Sequence, residues 1–329
     1  LRLEALRNHQ VGWENADISY RIDALTQWHR SLKIEKDAIV EALGVDTGRT
    51  MLAEQEFKGC LDAISNWCQL APDLLEHRQR QAIAMPAVEI TCAGAAYPLL
   101  GAISPWNFPL LLSFIDTIPA LLAGSAAYVK PSEITPRFVE PIARSIRRVP
   151  ALARVLSIAS GDGMIGEALV EQVDVVAFTG SVATGKKVAI NAATAFVPAF
   201  LELGGKDPAI VLSGSDIDRA SSSILRASIV GSGQACQSIE RIYVARSNAN
   251  EFSKMLIHKA QEVQATMNDP ERDIIGPLIF SPQANLISDH IEDAVTKGAT
   301  IECGGKVIEK DGAFWICLLY TSDAADDGL

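Results

Sequence analysis

The sequence lacks most of the short patterns that announce a site. Its six cysteines form no CxxC pair and keep no regular spacing, which argues against a zinc site or a disulfide framework. Its five histidines fall in no HExxH or other metal pattern. Basic residues are outnumbered 40 to 29, for a net charge of −11, and no Lys/Arg patch offers contacts to a nucleic-acid backbone. The start does not resemble a signal peptide. A first residue of Leu rather than Met suggests a piece of a longer protein. The longest apolar stretch, PLLLSFIDTIPALLAGSAAYV at 109–129, contains Asp116 and Pro119 and turns polar at Lys130. It reads as a buried helix running into a buried strand, not as a membrane span. Scattered thiols fit a reducing, cytoplasmic setting.

What is present is an ordinary globular composition, 48% hydrophobic and 21% charged over 329 residues, enough for two domains and a substantial core. Residues 1–77 carry helical periodicity, with Gly48 as a stop signal. Residues 80–94 look extended, with Pro86 near the middle, as suits an edge strand or an arm. From residue 99 apolar runs of strand type alternate with helical ones: LLGAIS, a helix from Pro109, AAYVK, a helix after Pro136, ARVLSIA, a short helix near Ile165, DVVAFTG, a helix from Val182, AFLEL and AIVL. After Cys236 come RIYVA and helices over 250–267 and 282–297. Strands apolar throughout, separated by crossover helices, predict a doubly wound α/β fold with a parallel sheet covered on both faces.

Several junctions carry candidate chemistry. In FTGSVATGKKVA, 178–189, a strand ends at Phe178 and Gly180-Ser181 opens a helix, whose N-terminal N–H groups suit a phosphate. The glycine spacing there is not GxGxxG, and taken alone the segment also reads as a plain strand-to-helix turn with a serine cap. Lys130 and Glu133 lie just beyond a strand, where ligands of such sheets bind and where a carboxylate can accept ribose hydroxyls; a solvated turn is the alternative. Glu202, in LELGGK, sits between leucines, where desolvation raises a carboxyl pKa and makes a general base. A Glu satisfied by backbone, or pointing outward from a strand edge, remains open. Asn107, in PWNFP, is held in a stiff turn and could donate to an oxyanion, or satisfy local backbone. Cys236, in GSGQACQSIE, stands among small residues that admit a ligand. Cys60, Cys68, Cys92 and Cys303 read as small buried hydrophobes. A free thiol near pKa 8.5 is only about 3 per cent ionised at pH 7, so a nucleophile needs local help.

Taken together and in this order, PWNFP, KPSE, FTGS, LELGGK and GQAC resemble the aldehyde dehydrogenase superfamily over residues 10–315. The resemblance implies NAD(P)-dependent oxidation of an aldehyde to a carboxylic acid. Cys236 would be the nucleophile, forming a thiohemiacetal; Asn107 and the Cys236 N–H would hold the oxyanion; hydride transfer would leave a thioester, and Glu202 would activate the water that releases the acid. Lys130 and Glu133 would contact the adenosine ribose and Gly180-Ser181 the pyrophosphate, with Trp106, Gly163 and Leu203 completing the cofactor set. Glu133 favours NAD over NADP, because a 2′-phosphate would meet its carboxylate. Phe108, Leu112, Ile115 and Val230 fall where relatives line a substrate tunnel, and Gln237, polar where many relatives are small or apolar, stands beside the nucleophile.

The same resemblance divides the chain into a dinucleotide-binding domain (1–77 and 97–203), an oligomerisation arm (78–96, an extended hairpin) and a partial α/β catalytic domain (204–316). It implies a homodimer or homotetramer for the intact protein. The later Glu-x-Phe-Gly-Pro segment of relatives has no counterpart, so truncation at both ends is expected. Residues 317–329, starting CLLYTSDAADD, read as translated sequencing adaptor and are expected to lie outside the fold. Two other readings stay open: a non-catalytic dinucleotide-binding fragment, and a CoA-acylating aldehyde dehydrogenase, against which the presence of Glu202 speaks.

Overall fold

The computed structural model describes residues 3–76, 78–81, 83–85, 87–92, 94–266 and 275–321; Pro86 and the tail beyond Thr321 fall outside them. Two compact units emerge, the first of residues 1–43 and 53–203, the second of 44–52 and 204–329. The sequence reading runs the first domain unbroken through 44–52.

In chain order the first unit begins with α1 (Leu3–Glu14), α2 (Ile18–Ile34), α3 (Lys36–Thr47) and α4 (Thr50–Leu75), the end of α3 and start of α4 belonging to the second unit. Strands β1 (Arg78–Gln81) and β2 (Glu89–Cys92) pair as an antiparallel hairpin. Then come β3 (Leu99–Ile103), α5 (Pro109–Phe114), α6 (Thr117–Ala123), β4 (Ala126–Lys130), α7 (Val139–Arg147), α8 (Pro150–Ala153), β5 (Leu156–Ile158), α9 (Gly163–Val170), β6 (Val175–Thr179), α10 (Val182–Ala195) and β7 (Ala199–Glu202). The parallel sheet runs β5-β4-β3-β6-β7. Successive strands lead away from β3 in one direction and then in the other, which is the doubly wound order with a switch point beside β3.

Every residue of β3, β4 and β6 is buried, as uninterrupted apolar strands require when both faces are covered. Helices α9 and α10 pack together, on β3 and on β6 and β7 respectively; α2, α6, α7 and α8 form another packed group. Trp28 of α2 and Phe114 of α5 are fully buried and meet edge-to-face at 5.0 Å. The Trp28 Nε1–H donates to Ser145 Oγ at 2.9 Å, so the indole is buried without orphaning its polar atom. The apolar run at 109–129 makes two short helices and a strand instead of one helix and a strand. The break falls at Ile115-Asp116, ahead of α6. Among the described residues no helix is long and apolar enough to cross a membrane.

The second unit comprises β8 (Asp207–Val211), α11 (Ile217–Ile229), a turn (Val230–Gly233), β9 (Ile239–Val244), α12 (Ala249–Thr266), α13 (Gln283–Thr296), β10 (Thr300–Gly304), β11 (Ile308–Lys310), β12 (Ala313–Trp315) and β13 (Leu318–Thr321). Strands β8 and β9 are parallel, and Val211, Ile224, Phe252 and Leu256 form the core beneath them. The sequence reading passed over α11, although its signals are plain: Asp216 accepts from the Arg219 N–H as N-cap, and Ile217, Ser221 and Ile224 recur at helical spacing. Residues 318–321, expected outside the fold, pair antiparallel with β10. An open strand edge offers unpaired backbone groups that a short β-prone segment can satisfy.

Replacing Phe114 by Ala removes a fully buried ring from the centre of the first unit and is expected to cost about 3–5 kcal/mol. Urea unfolding followed by near-UV circular dichroism measures it; a loss below about 1 kcal/mol would contradict this packing.

Candidate active site

In the first unit the predicted cofactor and catalytic residues gather at the carboxyl ends of the parallel strands, because a strand buried on both faces presents groups to a ligand only where it stops. Asn107 follows β3, Lys130 ends β4, Gly180 and Ser181 follow β6, and Glu202 ends β7. The loops are tied together across the edge: the Ser104 N–H donates to Lys130 O at 3.2 Å and the Gly180 N–H to Glu202 O at 3.0 Å.

Lys130 is only 4% exposed. Its Nζ donates to the carbonyls of Gly161 (2.6 Å) and Pro131 (3.0 Å) and lies 3.5 Å from Glu133. Burial lowers its pKa, while the charges of Glu133 and Asp162 act the other way. The alternative of a solvated turn therefore fails for Lys130. Glu133 is 56% exposed in its side chain, with its carboxylate turned to that ammonium.

Two of the helix N-termini on this edge, those of α9 and α10, differ in charge. Asp162 caps α9, its Oδ1 accepting from the N–H groups of Met164 and Ile165. Ser181 caps α10 with a neutral hydroxyl, accepting from the Thr184 N–H at 3.2 Å. A carboxylate already occupies the positive end of α9, so an anion is repelled there, whereas α10 keeps its dipole available. The segment GDGMIG, 161–166, follows β5 and opens α9 with the GxGxxG spacing, a pattern the sequence reading overlooked. A Cβ on Gly161 would lie 2.9 Å from Ile165, but one on Gly163 would meet nothing. A Cβ on Gly180 would fall 2.6 Å from the Phe178 ring, and one on Gly185 2.5 Å from Leu203. Leu203 thus packs on α10, and bare backbone is required at its entry. Unblocked helix amides, a serine hydroxyl, a buried ammonium and a nearby carboxylate match the donors and acceptors that a dinucleotide's pyrophosphate and ribose need. Trp106 holds the following loop through its carbonyl, which accepts from Thr135 Oγ1 at 3.4 Å.

The Asn107 turn is braced by a residue that the sequence reading missed. Glu56 of α4 is 6% exposed, and its Oε1 accepts the N–H groups of Leu110 (2.7 Å) and Leu111 (3.0 Å), capping α5 from outside. Asn107 Oδ1 accepts from the Phe108 N–H at 3.1 Å, which turns the amide nitrogen the other way. Periodicity hinted at Glu56: it lies beside Phe57 and four residues before Cys60, on the buried face of α4. Phe108 and Leu112 are half-buried and Ile115 is exposed.

Glu202 departs from expectation. It is exposed, because β7 is the sheet's edge strand and alternates: Leu201 faces the core, and Phe200 and Glu202 face away. The flanking leucines lie on the opposite face and do not desolvate it. Its charge is felt nearby, since the Asp116 pKa is raised by burial and then by Glu202.

In the second unit Cys236 is exposed, ahead of β9. A Cβ on Gly205 would fall 2.7 Å from Asp207 Oδ1 and in ordinary contact, 3.8 Å, with the Cys236 carbonyl oxygen, while one on Gly204 would meet nothing. Among the other thiols Cys60 and Cys303 are buried, Cys68 is half-buried, and Cys92 is exposed on β2, contrary to the buried reading. Burial pushes the Cys60 thiol up to about 12, with Glu56 adding to it, and Cys68 up to about 11. Val230 and Gln237 are exposed on either side of the nucleophile candidate.

A doubly wound parallel sheet with these groups at its strand ends, followed by a unit bearing an exposed cysteine, defines a doubly wound α/β protein. The pattern of the aldehyde dehydrogenase family matches residues 3–323, and the chain belongs to that family. It is similar to a protein of Mycolicibacterium smegmatis provisionally named succinate-semialdehyde dehydrogenase, NADP(+): 32% identical over 305 residues, 92% of this chain and 59% of that one. Among solved structures it resembles a provisionally named aldehyde dehydrogenase, PutA, of Anabaena variabilis (47% identity, TM-score 0.93, 98% of this chain and 69% of that one). It also resembles an Escherichia coli lactaldehyde dehydrogenase (29%, TM-score 0.88, 97% and 69%). The chain thus spans a little under three fifths of the length of the curated relatives it matches.

Glu56→Ala should orphan the buried Leu110 N–H and the part-buried Leu111 N–H and lower stability by about 1–3 kcal/mol. Glu56→Gln, which keeps the acceptor, should lose less. Equal losses in guanidinium unfolding would refute the capping role.

Proposed function

We propose that this protein oxidises an aldehyde to its carboxylic acid with NAD. The observation that carries the reading is the accessible thiol of Cys236 in a bare-backbone loop, in a chain of this family whose Cys60 and Cys68 thiols are pushed up by burial. Cys236, its thiol proton lost to solvent, adds its sulfur to the carbonyl carbon, and the Asn107 amide with the Cys236 N–H stabilises the resulting oxyanion. The dinucleotide, when bound, accepts the hydride that leaves the thiohemiacetal carbon. Glu202 then takes a proton from water as that water attacks the thioester, and the acid departs with the thiol regenerated. Exposure of Glu202 suits this step, since the base must reach water. Ser181 and the first amides of α10 bind pyrophosphate, for which the acid-capped α9 is the wrong partner. Glu133 accepts from ribose hydroxyls and disfavours a 2′-phosphate, although several curated relatives are named for NADP(+).

Phe108, Leu112, Ile115 and Val230 are all apolar, which supports an aliphatic or aromatic aldehyde over a semialdehyde, which carries a carboxylate. The hairpin leaves Ile83, Met85 and Val88 exposed, which supports its pairing with another copy in a dimer or tetramer. Six cysteines without a disulfide support a reducing, cytoplasmic setting.

NADH formation monitored at 340 nm with hexanal, benzaldehyde and succinic semialdehyde tests the reading. Cys236→Ala should abolish turnover. Glu202→Gln should slow deacylation roughly 10²–10⁴-fold and let an acyl adduct on Cys236 accumulate, visible by intact mass. Full activity in Cys236→Ala sinks the assignment, and release of the acyl group by CoA but not water converts it to the acylating class. For the cofactor, kcat/KM should favour NAD over NADP by roughly tenfold or more, about 1.4 kcal/mol, and Glu133→Gln should narrow the ratio. A native preference for NADP would overturn this part.

A further inference from the structure

The backbone ahead of Cys236 is held in an unusual shape. Gly231, Ser232 and Gly233 all take positive φ, at 65°, 60° and 71°. For serine this left-handed conformation is unfavourable and persists only when surrounding contacts impose it. Those contacts come from the segment 275–279. Ser232 Oγ donates to Gly276 O at 2.9 Å and accepts from the Gly276 N–H at 2.8 Å. Gln234 Nε2 donates to Gly231 O at 3.2 Å and to Pro277 O at 3.1 Å, while its Oε1 accepts from the Ile279 N–H at 2.9 Å. The segment is itself anchored, the Leu278 N–H donating to Phe314 O at 2.7 Å. On its other side Arg49 Nη1 donates to Gly231 O at 3.1 Å. Gly48 and Gly276 have no room for a Cβ, which would fall 2.4 Å from Pro277 and 2.7 Å from Arg49.

We infer that Ser232 and Gln234 are positioning residues for Cys236. Their side chains clamp a strained left-handed turn to the 275–279 strap, and so hold the thiol at one place. Five side-chain hydrogen bonds within three residues of backbone serve no helix or sheet; what they fix is the path of the chain into the cysteine loop. The role in catalysis rests on Cys236 being the nucleophile; the clamp itself does not.

Two measurements on the 329-residue chain separate these claims. The first reads presentation of the thiol: alkylation of Cys236 by iodoacetamide and by a bulky maleimide, quantified by peptide mass spectrometry and normalised to exposed Cys92 in the same sample. A fixed loop discriminates between reagents by size, so the small-to-bulky rate ratio should fall at least threefold in Gln234→Ala. Ser232→Gly, which keeps the left-handed turn but removes both hydroxyl bonds, should do the same, and the two together should be less than additive because they act through one strap. Gln234→Glu, isosteric but with acceptors facing two carbonyls, should not restore the ratio. Hydrogen exchange at Ile279 confirms that the bond has been lost. An unchanged ratio in both single variants, with Ile279 deprotected in Gln234→Ala and Gly276 deprotected in Ser232→Gly, overturns the clamp. The second measurement is aldehyde oxidation: Gln234→Ala should lower kcat at least tenfold with the KM for NAD within twofold of native. An equal rise in KM would mean a general structural role and overturn the positioning assignment. If the native chain oxidises no aldehyde, the proposed function fails while the alkylation ratio still decides the clamp.

Discussion

A parallel strand packed on both faces has nowhere to place a functional side chain except where it ends. β3, β4 and β6 are buried along their whole length, and the crossover helices that cover them force all five strands of the sheet to run the same way. Consequently Asn107, Lys130 and Gly180-Ser181 emerge along one edge, where Glu202 joins them from the end of the half-exposed edge strand β7. Their chemistry depends on that constraint before it depends on any individual contact.

Along that edge, charge is distributed selectively. A carboxylate from Asp162 closes the N-terminus of α9, a neutral serine closes that of α10, and a buried ammonium stands at the end of β4. Burying Lys130 costs solvation, which its two carbonyl acceptors and Glu133 offset. Such an arrangement leaves one helix dipole open to an anion and keeps the other closed. Glu56 imposes a similar order on the Asn107 turn, satisfying two amides at the start of a six-residue helix that has no side-chain cap of its own. In the second unit the same economy recurs with uncharged groups, where Ser232 and Gln234 bind backbone around the turn into Cys236. Lys130 and Glu56 are buried and Ser232 and Gln234 half-buried, and each fixes a loop next to a candidate functional residue.

Most of the architecture was legible in the sequence because its signals are local. Runs such as AAYV and VVAF contain nothing charged to face solvent, so both faces had to be covered and the strands had to be parallel. The ordered motifs from PWNFP to GQAC pointed to the family for a related reason: each is a short backbone requirement, a stiff turn or a bare approach, that can be read without knowing its neighbours. α11 was equally legible, with an Asp cap and a clean apolar repeat, as was the GxGxxG spacing at 161–166. Neither was hidden by physics.

What the sequence by itself determined is the alternation of strand and helix, the doubly wound class, and the residue types at each strand end, since these follow from periodicity and from the conformations that glycine and proline permit. Only the tertiary structure decided that Glu202 faces water while the leucines beside it face the core, because a strand's sides are assigned by what lies across from it. Tertiary packing likewise buried Lys130, recruited Glu56 to a helix more than fifty residues away, and brought 276–279 against 231–234. Burial and hydrogen-bond partnership are properties of pairs of distant segments, and no window of neighbouring residues contains them.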